Sequence, residues 1–149
     1  MTDCFRLASG KCPPNRGTGA ALLGGRWNPK GVGIIYTAVT ASLAALEILV
    51  HYSVLPRDFV LTPIRIPASV RIEVIRPENL PPEWNALAPT VATQEIGRRW
   101  AADLKSAVLR VPSAIVPTEW NYLLNPAHPA FRQIRFTNSM PFRFDPRLK

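Results

Sequence analysis

Gly24-Gly25-Arg26-Trp27-Asn28-Pro29-Lys30-Gly31-Val32-Gly33-Ile34-Ile35-Tyr36-Thr37, and shortly after it Ala41-Ser42-Leu43-Ala44-Ala45-Leu46-Glu47-Ile48-Leu49-Val50, is the stretch on which the fold turns. Asn-Pro-Lys-Gly predicts a turn: Pro29 presets φ for a type I turn, and Gly31 can take the left-handed position after it. A three-residue hairpin loop of that kind has a bulge at the glycine. Counted outward, Val32 then faces Asn28 and Ile34 faces Arg26. Strand alternation puts Tyr36 on the face of Ile34, and so of Arg26. A two-residue loop would place Arg26 and Tyr36 on opposite faces. Thr40 next supplies an N-cap for a helix expected over residues 41–52, which ends before Pro56.

Glu47 is the odd residue of that helix, because its neighbours are otherwise apolar or small. Helical spacing aligns Leu43, Glu47, Val50 and Val54 along one stripe, so the carboxylate is expected to face packed protein. Burying an unpartnered carboxylate costs several kcal/mol, and such residues are rare unless paired or used in chemistry. The expectation is a nearby cation and a functional site. A rim position or a purely structural salt bridge remains open on the pattern alone.

The rest of the chain bounds the problem. Its 149 residues make one domain, 1–149, long enough to bury a real core. An apolar content of 47% with four tryptophans argues for a globule and against a disordered tail. No apolar stretch reaches the roughly 18–20 residues needed to span a bilayer, and the N-terminus lacks the pattern of a secretion signal. Cys4 and Cys12 have no CxxC spacing, which fits reduced thiols in a cytosol better than a disulfide framework or a zinc site. The net charge of +8 suits nucleic acid, an anionic small molecule or an acidic partner. The basic residues are scattered, with a modest concentration at Arg132, Arg135, Arg143, Arg147 and Lys149. No helix-turn-helix, zinc-finger or aromatic RNA-binding pattern accompanies them, so a solvated basic face is preferred.

Sixteen prolines break the chain often, favouring short strands over long helices. A short strand is expected at Phe5-Arg6-Leu7, then irregular chain through Gly19. Further strands are expected at 59–66 (one or two), 70–75, 107–111, 114–116, 121–125 and 131–136. A loop or short helical turn is expected at 81–85, and a second helix over 93–104, which Gly97 weakens. This is an α+β chain with antiparallel strands and too little βαβ alternation for a doubly wound fold.

The GGRWNPKG run at 24–31, Tyr36-Thr37-Ala38, Leu43-Ala44-Ala45-Leu46-Glu47, Val111-Pro112-Ser113-Ala114-Ile115-Val116-Pro117 and the segment from Glu119 to Pro129 together resemble the RES-domain family. The resemblance covers nearly the whole chain, and the family's eponymous Arg, Glu and Ser fall on Arg26, Glu47 and Ser113. It implies an ADP-ribosyltransferase-like fold, with antiparallel β-sheets forming a split core flanked by a few short helices. It also implies a toxin of a bacterial toxin–antitoxin pair that depletes NAD, its substrate, by hydrolysis or phosphorolysis of the nicotinamide–ribose bond. The implied partner is an Xre-like helix-turn-helix antitoxin covering the active site, with DNA engaged only through it. Self-association as a homodimer is compatible with the chain, although no stripe specifies it.

Such cleavage passes through an oxocarbenium-like ribose, which needs an anion in a poorly solvated place. Glu47 fits that need. Arg26 can fork onto a pyrophosphate. Tyr36 can stack on nicotinamide and donate through its hydroxyl. Ser113 suits positioning better than nucleophilic attack, since no His–Asp relay accompanies it. Asn28 and Asn121 complete the expected NAD contacts, Asn121 being equally able to bond backbone. Each has a plainer reading: Arg26 as a counter-charge to Glu47, Tyr36 as a core aromatic, Ser113 as a turn residue. His51 lies one turn beyond Glu47, but no further ligand cluster supports a metal pair, and capping of the last helical turn is favoured. His128 is read as part of a turn. No metal is expected. Two other functions stay in view: mono-ADP-ribosylation of a protein on the same fold, and a basic RNA-targeting toxin.

Overall fold

The computed structural model describes residues 1–149. Its strands are β1 (Thr2–Ser9), β2 (Ile35–Ala38), β3 (Phe59–Ile66), β4 (Ile72–Val74), β5 (Val108–Pro112), β6 (Trp120–Leu124), β7 (Arg135–Phe136) and β8 (Met140–Phe142). Three helices, α1 (Thr18–Leu23), α2 (Ala41–Leu49) and α3 (Val91–Asp103), lie between them. The strands form one hydrogen-bonded sheet in the order β4-β5-β6-β2-β1-β3-β7, with β8 also on β3. The architecture is α+β. All pairs are antiparallel except β4 with β5, which α3 connects as a single crossover.

β3 runs unbroken through Pro63 because of what flanks it. The Pro63 carbonyl accepts the Thr137 N–H on the side away from β1. The proline nitrogen points to that same side, where β7 and β8 leave a gap between residues 61 and 64. The β1 ladder therefore loses no donor.

Register decides which side chains share a face. Ala38 pairs with Phe5 on one side and Asn121 on the other, while Tyr36 pairs with Leu123. Asn121 and Leu123 in turn face Val111 and Leu109. All these side chains project from one side of the sheet, and two apolar clusters form there. Leu43, Ala44 and Leu49 of α2 pack with Leu7, Ala38, Phe59, Leu61 and Phe144. Trp100 of α3 packs with Trp27, Ile34, Trp84, Leu109, Val111 and Leu123. A third cluster, including Cys4, Ile35, Ile64, Ile66, Val108 and Leu124, fills the opposite face. The seam between the α2 and α3 clusters is where the polar residues gather.

Several local expectations are corrected. No hairpin forms at Asn28–Gly31: only Gly25 and Asn28 bridge, and β2 starts at Ile35. The buried Asn28 amide replaces a ladder, its Nδ2 donating to the carbonyls of Ala20, Pro29 and Val32 at 2.8, 3.2 and 2.9 Å. Gly31 does adopt positive φ, +94°, but as the third residue of a turn closed by Val32 N–H on the Pro29 carbonyl. α2 stops at Leu49, and Val50 and Val54 are exposed, so the apolar stripe does not continue past Glu47. α1 begins within the chain expected to be irregular through Gly19 and runs on to Leu23, and β8 lies outside the expected strands. Residues 114–116 are not a strand: Ser113 Oγ accepts the N–H groups of Ile115 and Val116 and turns the chain there. Only Arg135–Phe136 of the expected 131–136 strand forms, after a 3-10 turn capped by His128, whose Nδ1 accepts the Ala130 N–H.

Candidate active site

Glu47 lies in the last turn of α2, whose start is fixed by Thr40: its Oγ1 accepts the Leu43 N–H at 3.0 Å. The helix sits over Ala38, and its Glu47 side chain reaches the adjoining ends of β5 and β6. There Oε1 accepts two hydrogen bonds, from Ser113 Oγ at 2.8 Å and Asn121 Nδ2 at 2.7 Å. Oε2 carries no protein hydrogen bond. The carboxylate is half-buried. It is aimed by neutral donors and not by a cation, contrary to expectation, since none of the four ion pairs includes it.

Ser113 is fully buried, and its hydroxyl is saturated. It donates to Glu47 and accepts two backbone N–H groups, each at 3.1 Å. With its proton given to a carboxylate and no lone pair free, it holds Glu47 and is unsuited to attack. Asn121 uses its amide nitrogen on Glu47, whereas its Oδ1 is buried without a partner.

Arg26 comes from the apex of the tight Gly25–Asn28 turn. Its Nη1 donates to the Trp84 carbonyl at 2.9 Å. Burial pulls its pKa below the ordinary guanidinium value, opposed by the Glu47 charge and then by Tyr36. The arginine therefore feels Glu47 across the seam without forming an ion pair with it. A partly desolvated, singly bonded guanidinium can still accept an anion.

Tyr36 forms the floor, but its hydroxyl is occupied. It donates to Asn28 Oδ1 at 2.5 Å and accepts the Trp27 N–H at 3.0 Å. Burial raises the phenol well above its usual range. The expected hydroxyl donation to a ligand is thus corrected: the phenol proton is already given to Asn28. Asn28 is corrected too. It is 0% exposed, with both ends of its amide engaged, and braces the loop under Arg26 without reaching the seam.

The structure so brings Glu47, Ser113 and Asn121 into direct contact, with Arg26 and Tyr36 alongside. His51 is exposed, beyond the end of α2. No group of three or more His, Cys, Asp or Glu side chains is placed to hold a metal. A separate hollow lined by residues such as Glu73, Ile75, Arg99, Trp100 and Lys105 contains none of the seam residues. The basic pair Arg98-Arg99 is answered by Glu95, which both contact, holding that carboxyl down to about 2.

Gln94 escaped the sequence reading, and Gly97 entered it only as a weak point of the helix. Gln94 Nε2 donates to the Gly25 carbonyl at 3.0 Å, and Gly97 lies against the Trp27 backbone. The only signal was the glycine itself, placed in mid-helix where propensity disfavours it.

The family model described as "RES domain" matches residues 3–145. The chain belongs to the RES domain family. Relatives of this RES domain include the "Prs ADP-ribosylating toxin" of Sphingobium sp. (strain YBL2), 41% identical over 136 residues, spanning 89% of this chain and 84% of that one. "Toxin Res" of Photorhabdus laumondii is 44% identical over 135 residues, covering 89% and 86% of the two chains. Among solved structures, a chain of the M.tuberculosis MbcT-MbcA toxin-antitoxin complex superposes with a TM-score of 0.73 over 99% of this RES domain and 86% of that chain. At 19% identity that likeness speaks for the fold alone.

Proposed function

We propose that this RES domain is the toxin of a toxin–antitoxin pair and that it consumes NAD by breaking the nicotinamide–ribose bond. The observation that carries the reading is the Glu47 carboxylate, half-buried, held at one oxygen by Ser113 and Asn121 and bare at the other. The relatives named as toxins support the biological role.

The chemistry follows from the charges. As the C1′–N bond breaks, its electron pair leaves with the nicotinamide nitrogen, neutralising the pyridinium. The ribose is left oxocarbenium-like. A preoriented anion beside that carbon is worth more in a poorly hydrated seam than in water. Glu47 is that anion. Its Oε2 faces the cation or bonds a ribose hydroxyl, while Ser113 and Asn121 prevent the side chain from swinging away. Arg26 takes the pyrophosphate, exchanging its single carbonyl contact for a two-pronged one. The Tyr36 ring supplies an apolar wall for nicotinamide. Water then bonds C1′ and releases a proton to solvent, completing hydrolysis, or an anionic oxygen of inorganic phosphate bonds C1′, completing phosphorolysis.

A second reading has support of its own. A relative at 41% identity is named for ADP-ribosylation. The same bond breaks in that reaction, and a protein side chain replaces water as acceptor. Purified protein incubated with NAD, with and without phosphate and with and without cell lysate, tests both. Free nicotinamide with ADP-ribose or its 1″-phosphate supports NAD depletion. Nicotinamide matched by label on one lysate protein supports transfer. No nicotinamide under any condition refutes both.

The partner we assign is a helix-turn-helix antitoxin that covers the seam. In support, α1 has no buried residue and exposes Leu22 and Leu23 immediately before the Arg26 turn. The structural neighbour was solved as a toxin-antitoxin complex. A cytosolic site of action accords with two free cysteines and a cytosolic substrate. No helix is long and apolar enough to cross a membrane.

A further inference from the structure

Arg26 owes its position to α3. The Gly25–Asn28 turn that carries it is pinned at several points, and the arginine side chain itself reaches the Trp84 carbonyl. Gly25 N–H donates to the Asn28 carbonyl at 2.9 Å, closing the turn. Trp27 N–H donates to Tyr36 Oη, and Asn28 is anchored through its amide. The Gly25 carbonyl, directly before Arg26, is held by Gln94 of α3 at 3.0 Å.

Gln94 belongs to a face of α3 built for this approach. One turn on, Gly97 meets the backbone of Trp27 so closely that a Cβ there would lie 1.6 Å from the Trp27 carbonyl oxygen. A further turn on, Trp100 is buried against Trp27 in the same cluster. Residues three apart share a helix face, so Gln94, Gly97 and Trp100 grip the turn in sequence. Thr90 caps the helix just ahead of them, its Oγ1 accepting the Thr93 N–H. The three contacts fall on residues 25 and 27, the two that flank the arginine.

We infer that Gln94 is a positioning residue for Arg26, setting the guanidinium where the substrate pyrophosphate binds. The inference rests on the proposed NAD-cleaving function. Gln94 touches neither Glu47 nor any group at the reacting carbon, so its role is in binding and not in the bond-breaking step. Without its N–H the Gly25 peptide is free to rotate, and the energy of aligning Arg26 is drawn from substrate binding.

The test is Gln94→Met, which keeps length and helix propensity and removes the donor. It is measured alone and combined with Arg26→Ala, reading nicotinamide release. The single variant is expected to raise KM about five- to tenfold, the worth of one hydrogen bond, with kcat within about twofold of the parent. In the Arg26→Ala background the same change should alter KM by less than about twofold, because its target is gone. An unchanged KM, or an equal effect in both backgrounds, overturns the inference. Hydrogen exchange of the peptide covering residues 24–28 provides a readout that needs no turnover. Faster exchange there in Gln94→Met, with α3 unaltered, sustains the positioning role. Unchanged exchange overturns it, even if the parent protein releases no nicotinamide and the functional reading has failed separately.

Discussion

Replacing Glu47 by Gln isolates charge from shape. The glutamine oxygen can take the place of Oε1 and keep both incoming bonds, from Ser113 and Asn121. Its amide nitrogen then occupies the position of Oε2, which has no protein partner to offend. The stability change is a small difference. Two charge-assisted bonds become neutral ones, a loss of about 1 kcal/mol each, while relief of the half-buried charge returns a similar amount. At about 2–4 °C per kcal/mol for a chain of this size, Tm should move by less than about 5 °C. The rate should respond far more. Removing one preorganised group that stabilises transition-state charge costs about 10²–10³ in kcat, or about 3–4 kcal/mol. The assay is initial-rate nicotinamide release at saturating NAD, on protein shown by calorimetry to melt as the parent does. A Glu47→Gln variant with kcat within about threefold of the parent would refute an electrostatic role for Glu47. It would also remove the main support for bond cleavage in this seam.

Ser113→Ala should lower both stability and rate. It strips one donor from Glu47 and leaves the Ile115 and Val116 N–H groups without their acceptor, costing about 2 kcal/mol, or roughly 4–8 °C in Tm; an unshifted melt would show that the hydroxyl contacts contribute nothing. Leu22→Asp with Leu23→Asp should weaken capture by a helix-turn-helix partner at least about tenfold and leave nicotinamide release unaltered, because α1 has no buried residue to lose; undiminished capture in a pull-down would move the docking surface elsewhere. Alkaline stability should depend on Cys4, whose thiol burial pushes from 9.0 up to about 12. The unfolded thiol ionises first, so this stability is complete below pH 9 and is lost as pH rises toward about 12. Urea midpoints should therefore fall less steeply above pH 9 in Cys4→Ala than in the parent, and parallel slopes would contradict the assignment.

What was legible in the chain depended on whether the signal was local. Thr40 followed by an apolar run specifies α2, and the β-branched segment at 59–66 specifies β3, because capping and burial act within a few residues. α1 was illegible for the converse reason: with no buried residue it leaves no periodic pattern. The apparent hairpin failed at Asn28. Its side chain bonds three carbonyls from residues 20, 29 and 32, a network that draws the chain inward where alternation suggested a ladder. β8 hid behind Pro141, which is tolerated because it sits at the outer edge beyond β3.

The site divides the same way. Glu47 stood out as a lone acid in an apolar helix, but the nature of its partners did not. Its two donors lie 66 and 74 residues along the chain, and no spacing rule connects them. Ser113 and Asn121 entered through family resemblance, and their contact with Glu47 is a property of the β5–β6 register. Tyr36 was placed beside Arg26 through a hairpin that does not exist. The proximity is real, yet it arises from the Trp27–Tyr36–Asn28 bonds. Gln94 could not be read at all, because a glutamine on a helix surface has no distinguishing environment until the helix is docked.

Gly97 makes foundation and machinery inseparable. The helix forgoes about 1 kcal/mol of intrinsic preference by carrying glycine in its interior, and the missing carbon is what lets it rest on the peptide beside Arg26. Any drift to a larger residue must push that support outward. Such a lineage has to move the Trp27 backbone, and with it the turn on which Arg26 stands. A single added methyl group at residue 97 therefore strikes the tryptophan core and the seat of Arg26 together.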